Sequence, residues 1–418
     1  MAVNNFLNTN WVAMEVLRLL VNKLIVAEYF NHDWKKEYDK DFAVGSTVSI
    51  KYPQLYKVVD GQGYNPQGIN RRNTTVSLDQ WMQVSWEWDD YETAVKLERS
   101  EEELRTQYWE PAAAALAQQA DSRCAQWAYQ NASMVAGTLG TDPTSVTTYY
   151  TARQLLEQNA AGELGKRCML ISSSMMTSLG SNITTIFHPG NEISRAWKEG
   201  KYIGMLGGFD FYESQSLYSQ TAGTWAGTNG YPIISGAGQS GTSLVITANA
   251  GDTFNVGDKF SIANVNLVNP MTYRIPGKAY NKTFTITQSL TAVGGAGGDT
   301  INFLPAIFGP GSQYQNVDAL PANAAALTLW PGTTSPNGKV GTVGLALTRQ
   351  AFAMVGAKLY RPTAVERVGF AQDPDTGLSI RTVTAWDPVR SMRINRMDTL
   401  FGFGNLYQDN GAVAVVGA

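Results

Sequence analysis

Of the chain's 67 charged residues (32 Lys plus Arg and 35 Asp plus Glu), only nine fall between residues 219 and 340, more than a quarter of the 418-residue length. They are Asp252, Asp258, Lys259, Arg274, Lys278, Lys282, Asp299, Asp318 and Lys339, and the stretch has neither histidine nor cysteine. Apolar residues alternate here with polar ones at period two: Phe260 and Ile262 against Lys259 and Ser261, Phe284 and Ile286 against Thr283 and Thr285, Ile301 and Phe303 across Asn302. Turns such as Val256-Gly257-Asp258 and Gly294 to Gly298 separate these runs. Short strands joined by glycine turns must close or stack to hide their edges, so residues 219–340 are predicted to form an all-β domain of barrel or sandwich type.

The flanking sequence has a different rhythm. Val16, Leu17, Leu20, Val21 and Leu24 recur at helical spacing between Trp11 and Ile25, with Glu15, Arg18 and Asn22 on the opposite face. Val48, Ile50 and Tyr52 alternate with Ser49 and Lys51 until Pro53, and Val84, Trp86 and Trp88 alternate with Ser85 and Glu87. Residues 47–88 therefore read as a long hairpin whose tip, Asp60 to Thr75, is rich in turn residues and carries Arg71-Arg72. Ser100 and Glu103 form a capping box. Pro111 to Met134 reads as a long helix with Leu116, Ala120, Cys124 and Trp127 on one face. A helix from Thr151 to Asn159, a strand at Cys168 to Ile171 and short helices up to Tyr202 follow. After the β segment, Leu347 to Tyr360 reads as a helix, Ile380 to Trp386 and Met392 to Ile394 as antiparallel strands, and Ala412 to Val416 as a last strand. The class is α+β with an inserted β domain.

A composition of 44% apolar and 16% charged residues excludes a disordered chain, and a net charge of -3 leaves no global basic field for nucleic acid or membrane. Cys124 and Cys168 have no CxxC partner and are expected as buried thiols. Neither a signal peptide nor a 20-residue apolar span is visible, which places the chain's synthesis in the cytosol.

The candidate chemistry dissolves on inspection. Gly236, Gly238 and Gly241 match G-x-G-x-x-G, but Thr242 to Ala248 continues as a strand, so no helix N-terminus is available for a pyrophosphate. Asp373, Asp375 and Gly377 resemble part of a calcium loop but lack its terminal Glu, and read as a turn. His32 and His188 stand apart from any ligand cluster, and Asp89-Asp90 point away from each other. No catalytic constellation, metal site or cofactor site is expected. Arg71 and Arg72 are either a solvated turn or a contact to acidic groups of a neighbouring chain. The N-terminal helix, with Glu15 on its polar face, is either ordinary core or an arm that docks on another subunit.

The order of elements, with several local matches, resembles the P22 coat protein family of tailed-phage major capsid proteins, which share the HK97-like capsid fold. Asp39 to Asp60, with Phe42, Gly45, Val48, Ile50 and Pro53, is similar to that family's entry into its extended loop. Gly200 to Ser214 (GKYIGMLGGFDFYES) resembles the segment before its insertion domain, and Gly257 to Ile262 a strand inside it. Leu345 to Pro362, with Arg349, Ala351, Phe352, Ala353 and Leu359, resembles the element that follows, and Arg396 to Gly402 the closing segment. The resemblance implies an N-terminal arm (1–46), an extended loop (47–88), a P-domain with spine helix (89–137), an A-domain (138–218), the inserted β domain (219–340) and the returning A- and P-domain strands (341–418). It further implies a non-enzymatic shell subunit that forms pentamers and hexamers of an icosahedral head. Expected partners are copies of itself, a scaffolding protein, a portal protein, a decoration protein and packaged double-stranded DNA held without sequence specificity. The subunit would be assembled in the bacterial cytoplasm and located in the virion. Competing readings are a phage tail or surface module that binds a receptor through the β insertion, and a carbohydrate-active enzyme, which would need two close carboxylates in an aromatic groove.

Overall fold

In a computed structural model of the chain, the alternation around Trp86 extends into a 17-residue strand, β2 (Asn73–Asp89). The structure describes residues 9–34, 47–51, 55–58, 61–64, 66–69, 73–89, 105–161, 167–183, 205–225, 232–277, 279–295, 298–330, 338–363, 365–373, 376–406 and 412–417. The chain divides into two units, one built from Met1–Ile50, Asn73–Cys124 and Phe352–Asn405, the other from Lys51–Arg72, Ala125–Ala351 and Leu406–Ala418.

In the first unit β2 lies in a sheet of order β1 (Thr47–Lys51), β2, β20 (Met392–Asn405), β19 (Ser379–Asp387), β18 (Arg367–Gln372), with β17 (Phe352–Gly356) also on β20. The β2–β20 register runs from Asp89↔Met392 to Gln80↔Phe401 and then jumps to Ser77↔Phe403. Gly402 sits at that bulge because a Cβ there would lie 1.9 Å from the Ser77 carbonyl oxygen. The N-terminal helix α1 (Thr9–Lys23) packs on β18 and β19 and buries Val16, Leu17 and Leu20, with Leu24 buried just beyond its end. In the long helix α2 (Glu110–Asn131), Ala113, Leu116, Ala117, Ala120 and Cys124 are buried, and the small side chains allow close approach.

The second unit has a mixed sheet of order β3 (Met134–Gly137), β21 (Ala412–Val416), β16 (Val340–Thr348), β4 (Arg167–Ile171), β6 (Phe209–Glu213), β5 (Met205–Leu206). Tyr149, Ala152 and Leu156 of α3 (Val146–Gln158) and Met175 and Leu179 of α4 (Ser173–Ile183) bury against Met169, Ile171, Phe209, Val413 and Val415. A second six-stranded sheet of order β15 (Leu327–Leu329), β11 (Lys259–Asn266), β12 (Asn281–Ile286), β14 (Asp299–Ile307), β9 (Gly241–Thr247), β8 (Ile233–Ile234) curls until its ends meet. Its closure is the Ile233↔Ala326 bridge, with Ile234 N donating to Ala325 O and Leu327 N to Pro232 O. The product is a near-closed barrel filled by Phe260, Phe284 and Phe303, whose ring centroids stand 5.2 to 5.7 Å apart. Gly236, Gly238 and Gly241 all have positive φ in the β8–β9 turn, which accounts for the glycine spacing without any nucleotide.

Several expectations need correction. Leu347 to Tyr360 is not a helix: it holds the end of β16, a turn closed by Ala351 N to Thr348 O, and β17. Both strands are buried on both faces, so their apolar run has no period-two signature to set it apart from a helix. The long helix starts one residue before Pro111, after a π turn at Arg105–Trp109, and stops at Asn131, leaving Met134 to β3. The helix expected at Thr151 begins earlier, at Val146, where the Ser145 side chain accepts the Thr147 N–H; β-branched neighbours hid that cap. Strand β18 had no counterpart in the sequence reading. The Ser100 capping box, Asp90, His188, Asp375 and the pair Arg71-Arg72 lie outside the described residues. Asp373 does close a turn, its carboxylate accepting the Thr376 N–H and hydroxyl. Both thiols are free and buried, and burial pushes their ionisation upward.

Candidate functional site

Three sets of polar groups and one surface stand out. The first set lies where the barrel meets the end of the long helix. The helix's final carbonyls need partners once its own ladder ends. The buried Lys259 ammonium supplies them: Nζ donates to Tyr129 O (2.7 Å), to Ala132 O and to Thr285 Oγ1 (2.7 Å), and lies 4.4 Å from the centre of the Tyr129 ring. Burial pushes the Lys259 pKa well down and neighbouring Asp258 pulls it back up, while three acceptors match the three N–H groups of a charged amine. Asp258 follows Gly257, whose φ of +92° turns the chain so that the carboxylate points inward. It accepts from Asn255 N, Gly223 N and Gln220 Nε2, each at 2.9 Å, so it holds the segment after β7 (Ser219–Thr221) against the barrel. Burial raises its pKa to about 6 against these hydrogen bonds. Thr283 Oγ1 to Ser133 O and Trp330 Nε1 to Gly137 O complete the seam.

The second set lies on the large sheet. Asp398, fully buried, accepts from Arg381 Nη2 (2.5 Å), Arg396 Nε (2.7 Å) and Trp81 Nε1 (3.3 Å) across three adjacent strands. The third set anchors the chain after the N-terminal helix. The Asp121 carboxylate accepts the N–H groups of Ile25, Val26 and Ala27, capping the short 3-10 turn Ala27–Tyr29, and burial raises its pKa against those three bonds. Asn31 bridges to Ala353, Phe30 packs on Phe352 and Phe403, and His32 lies between two carbonyls.

The surface is the segment after β1. Tyr56, Val58, Tyr64 and Ile69 are 62%, 85%, 92% and 71% exposed. The Gln67 side-chain amide bonds both the N–H and the carbonyl of Lys57, and Gln313 Nε2 donates to Leu55 O. Backbone groups are thus tied down while apolar side chains face water.

Of the residues singled out in the sequence, Glu15 forms a two-pronged pair with Arg18 one turn along its own helix, at 2.6 and 3.1 Å. That hydrogen bond and the Glu15 charge raise the Arg18 pKa. The described residues bring Glu15 together with no candidate partner from the hairpin tip. Sequence reasoning passed over Asp258, Lys259, Asp398 and Asp121. For the first two a signal existed: a charge kept inside a charge-poor strand run is worth suspecting. Among the described residues no group of three or more His, Cys, Asp or Glu is placed to hold a metal, and no helix is long and apolar enough to cross a membrane.

Buried charges that end on backbone groups, beside an apolar surface left open to water, are the means of a structural subunit. The profile of the family described as P22 coat protein, gene protein 5, matches residues 1–338, and the chain belongs to that family. It is the major capsid protein of a tailed-phage head, a virion component that assembles with copies of itself and not an enzyme. Among solved structures it is similar to one titled Mycobacterium phage Che8 (13% identity, 94% of this chain and 90% of that one, TM-score 0.49). Two others are the capsid structure of the Cyanophage P-SCSP1u (12% identity, 90% and 85% covered, TM-score 0.42) and the asymmetric unit of the bacteriophage PhiM1 mature capsid (11% identity, 89% and 82% covered, TM-score 0.42). No curated protein matches.

Proposed function

We propose that the subunit adopts the HK97-like arrangement and forms the pentamers and hexamers of an icosahedral head around double-stranded DNA, with scaffolding, portal and decoration proteins as partners. In this reading the chain is used as arm (1–46), extended loop (47–88), P-domain (89–137 and the returning strands), A-domain (138–218 and the remainder) and inserted β domain (219–340). The observation that carries it is the exposure of Tyr56, Val58, Tyr64 and Ile69 on a loop whose backbone is held in place. A monomer gains nothing by showing four such side chains to water, whereas a repeated contact with the next copy buries them at every interface of the shell. Arg71 and Arg72 then meet an acidic patch of that neighbour, and Glu15 contributes a polar contact from the arm.

Electron microscopy of the purified protein with its neighbouring phage proteins tests the reading. Closed shells tens of nanometres across are expected, and a persistent monomer at high concentration under those conditions would reject it. Replacing both Arg71 and Arg72 by Glu is expected to leave the monomer folded and to impair assembly, with partial rescue by salt, since attraction becomes repulsion at each contact. Normal shells from that variant at low salt would remove the arginines from the mechanism.

A further inference from the structure

The chain has two histidines, and one of them, His32, is buried with both ring nitrogens against main-chain oxygen: Nε2 is 3.0 Å from the Ala27 carbonyl and Nδ1 is 3.3 Å from the Met354 carbonyl. A carbonyl only accepts. A neutral imidazole has one N–H and one lone pair, so it can serve one of these two oxygens and sets its lone pair against the other. Both bonds exist together only in the imidazolium form. The two carbonyls belong to different parts of the unit: Ala27 to the turn that follows the N-terminal helix, Met354 to the strand β17. The ring therefore joins them only while it holds its second proton.

Ionisable side chains stand on the described elements near this place. On the long helix, the Asp121 carboxylate binds the N–H groups of Ile25 to Ala27 in the same turn whose carbonyl faces His32. On the segment itself stand Glu28 and Asp33, both exposed, while β17 (Phe352–Gly356) contributes no ionisable side chain. Upstream, Glu15 and Arg18 neutralise each other.

We propose that His32 is a proton-operated clamp holding the N-terminal segment on its own subunit. Loss of the second proton leaves a lone pair facing a carbonyl in a buried site: the ring's share of the link between turn and strand is lost, the Asn31 pairing with β17 and the Asp121 bonds remain, and the segment opens more readily. The clamp acts whatever the final geometry of the shell, so it goes beyond the assembly reading above.

The test uses the intact, unassembled chain. Amide hydrogen exchange of peptides covering residues 9–34 is followed from mildly acidic to alkaline pH, after correction for intrinsic exchange, together with the imidazole Cε1 proton signal of His32. Protection of these peptides is expected to fall about tenfold or more as the ring loses its proton, since the bond lost is one to a charged donor. His188→Gln should keep this behaviour, and His32→Gln, which has no proton to lose, should abolish the pH dependence. Protection that does not change with pH in the unmodified chain, or a dependence that survives in His32→Gln, overturns the proposal. If His32→Gln does not fold, the decision falls to His188→Gln, whose single imidazole signal must titrate in step with the loss of protection; titration out of step overturns it as well.

Discussion

The barrel and the large sheet of the first unit use charge in opposite ways. In the sheet, Asp398 is buried but answered by two arginines, Arg396 on its own strand β20 and Arg381 on the flanking strand β19, a local side-chain network. Of the eight charges that are described in residues 219–340, five are buried, namely Asp252, Asp258, Lys259, Lys282 and Asp299. Those with resolved partners act chiefly on backbone: Asp258 on two N–H groups, Asp299 on the N–H groups of Val293 and Gly294, Lys259 on two carbonyls. A segment that is poor in charge has not dispensed with it. It has kept the charges that fasten loops and a helix end, and leaves its water-facing surface mostly to neutral side chains.

That contrast can be broken by mutation. Asp398→Ala should have the largest effect, about 4 kcal/mol of stability by denaturant titration, because two arginines lose a buried counter-charge. A triple apolar replacement of Arg381, Asp398 and Arg396 should recover much of the loss, since side chains can replace side chains. Lys259→Met should cost about 3 kcal/mol with no such rescue, because two of its three partners are main-chain carbonyls that no second substitution removes. Recovery of Lys259→Met by any compensating apolar change at Thr285 would erase the distinction.

Asp258 sharpens the comparison through pH. Its folded pKa, raised by burial to about 6, exceeds its ordinary value of 3.8, so the folded state binds this proton more tightly than the unfolded one. Its contribution to stability is full below 3.8 and is lost as pH rises through about 6, a difference of roughly 2 to 3 kcal/mol. Denaturation midpoints of the unmodified chain and of Asp258→Asn, measured from pH 4 to 7 (about the window between those values), should diverge with that sign. Parallel curves would mean that the hydrogen bonds to the carboxylate outweigh its burial. The smallest effect belongs to Glu15→Gln: the pair with Arg18 lies in water on one helix, and no change beyond the scatter of thermal melts is expected.

Much of this architecture was legible because its signals are local. Period-two alternation at Phe260, Phe284 and Phe303 gave the barrel strands, helical spacing gave α1, and glycine-rich turns implied closure. The failure at Leu347 to Tyr360 has the opposite cause: strands covered on both faces carry no alternation, and Gly344, where a Cβ would stand 2.7 Å from the Leu170 carbonyl oxygen, is explained only by a neighbouring strand. The polar anchors were harder still. Asp121 reaches a turn 94 to 96 positions away and Lys259 a helix end 127 to 130 positions away, separations at which a sequence offers residue types but no pairing.

The pairing of β7 with β16 sets Ser219 opposite Thr342 and Thr221 opposite Val340, so the chain leaves for the barrel and returns from it on two hydrogen-bonded neighbours. The mixed sheet therefore sees the same doorway whatever is mounted beyond it, and closing that doorway costs little more for a long passenger than for a short one. A reporter, an epitope or an unrelated small fold could be mounted between Gln220 and Gly341 with the sheet's register untouched. What such a graft would forgo is the Lys259 cap, and the last turn of the long helix would then need a new partner for its carbonyls.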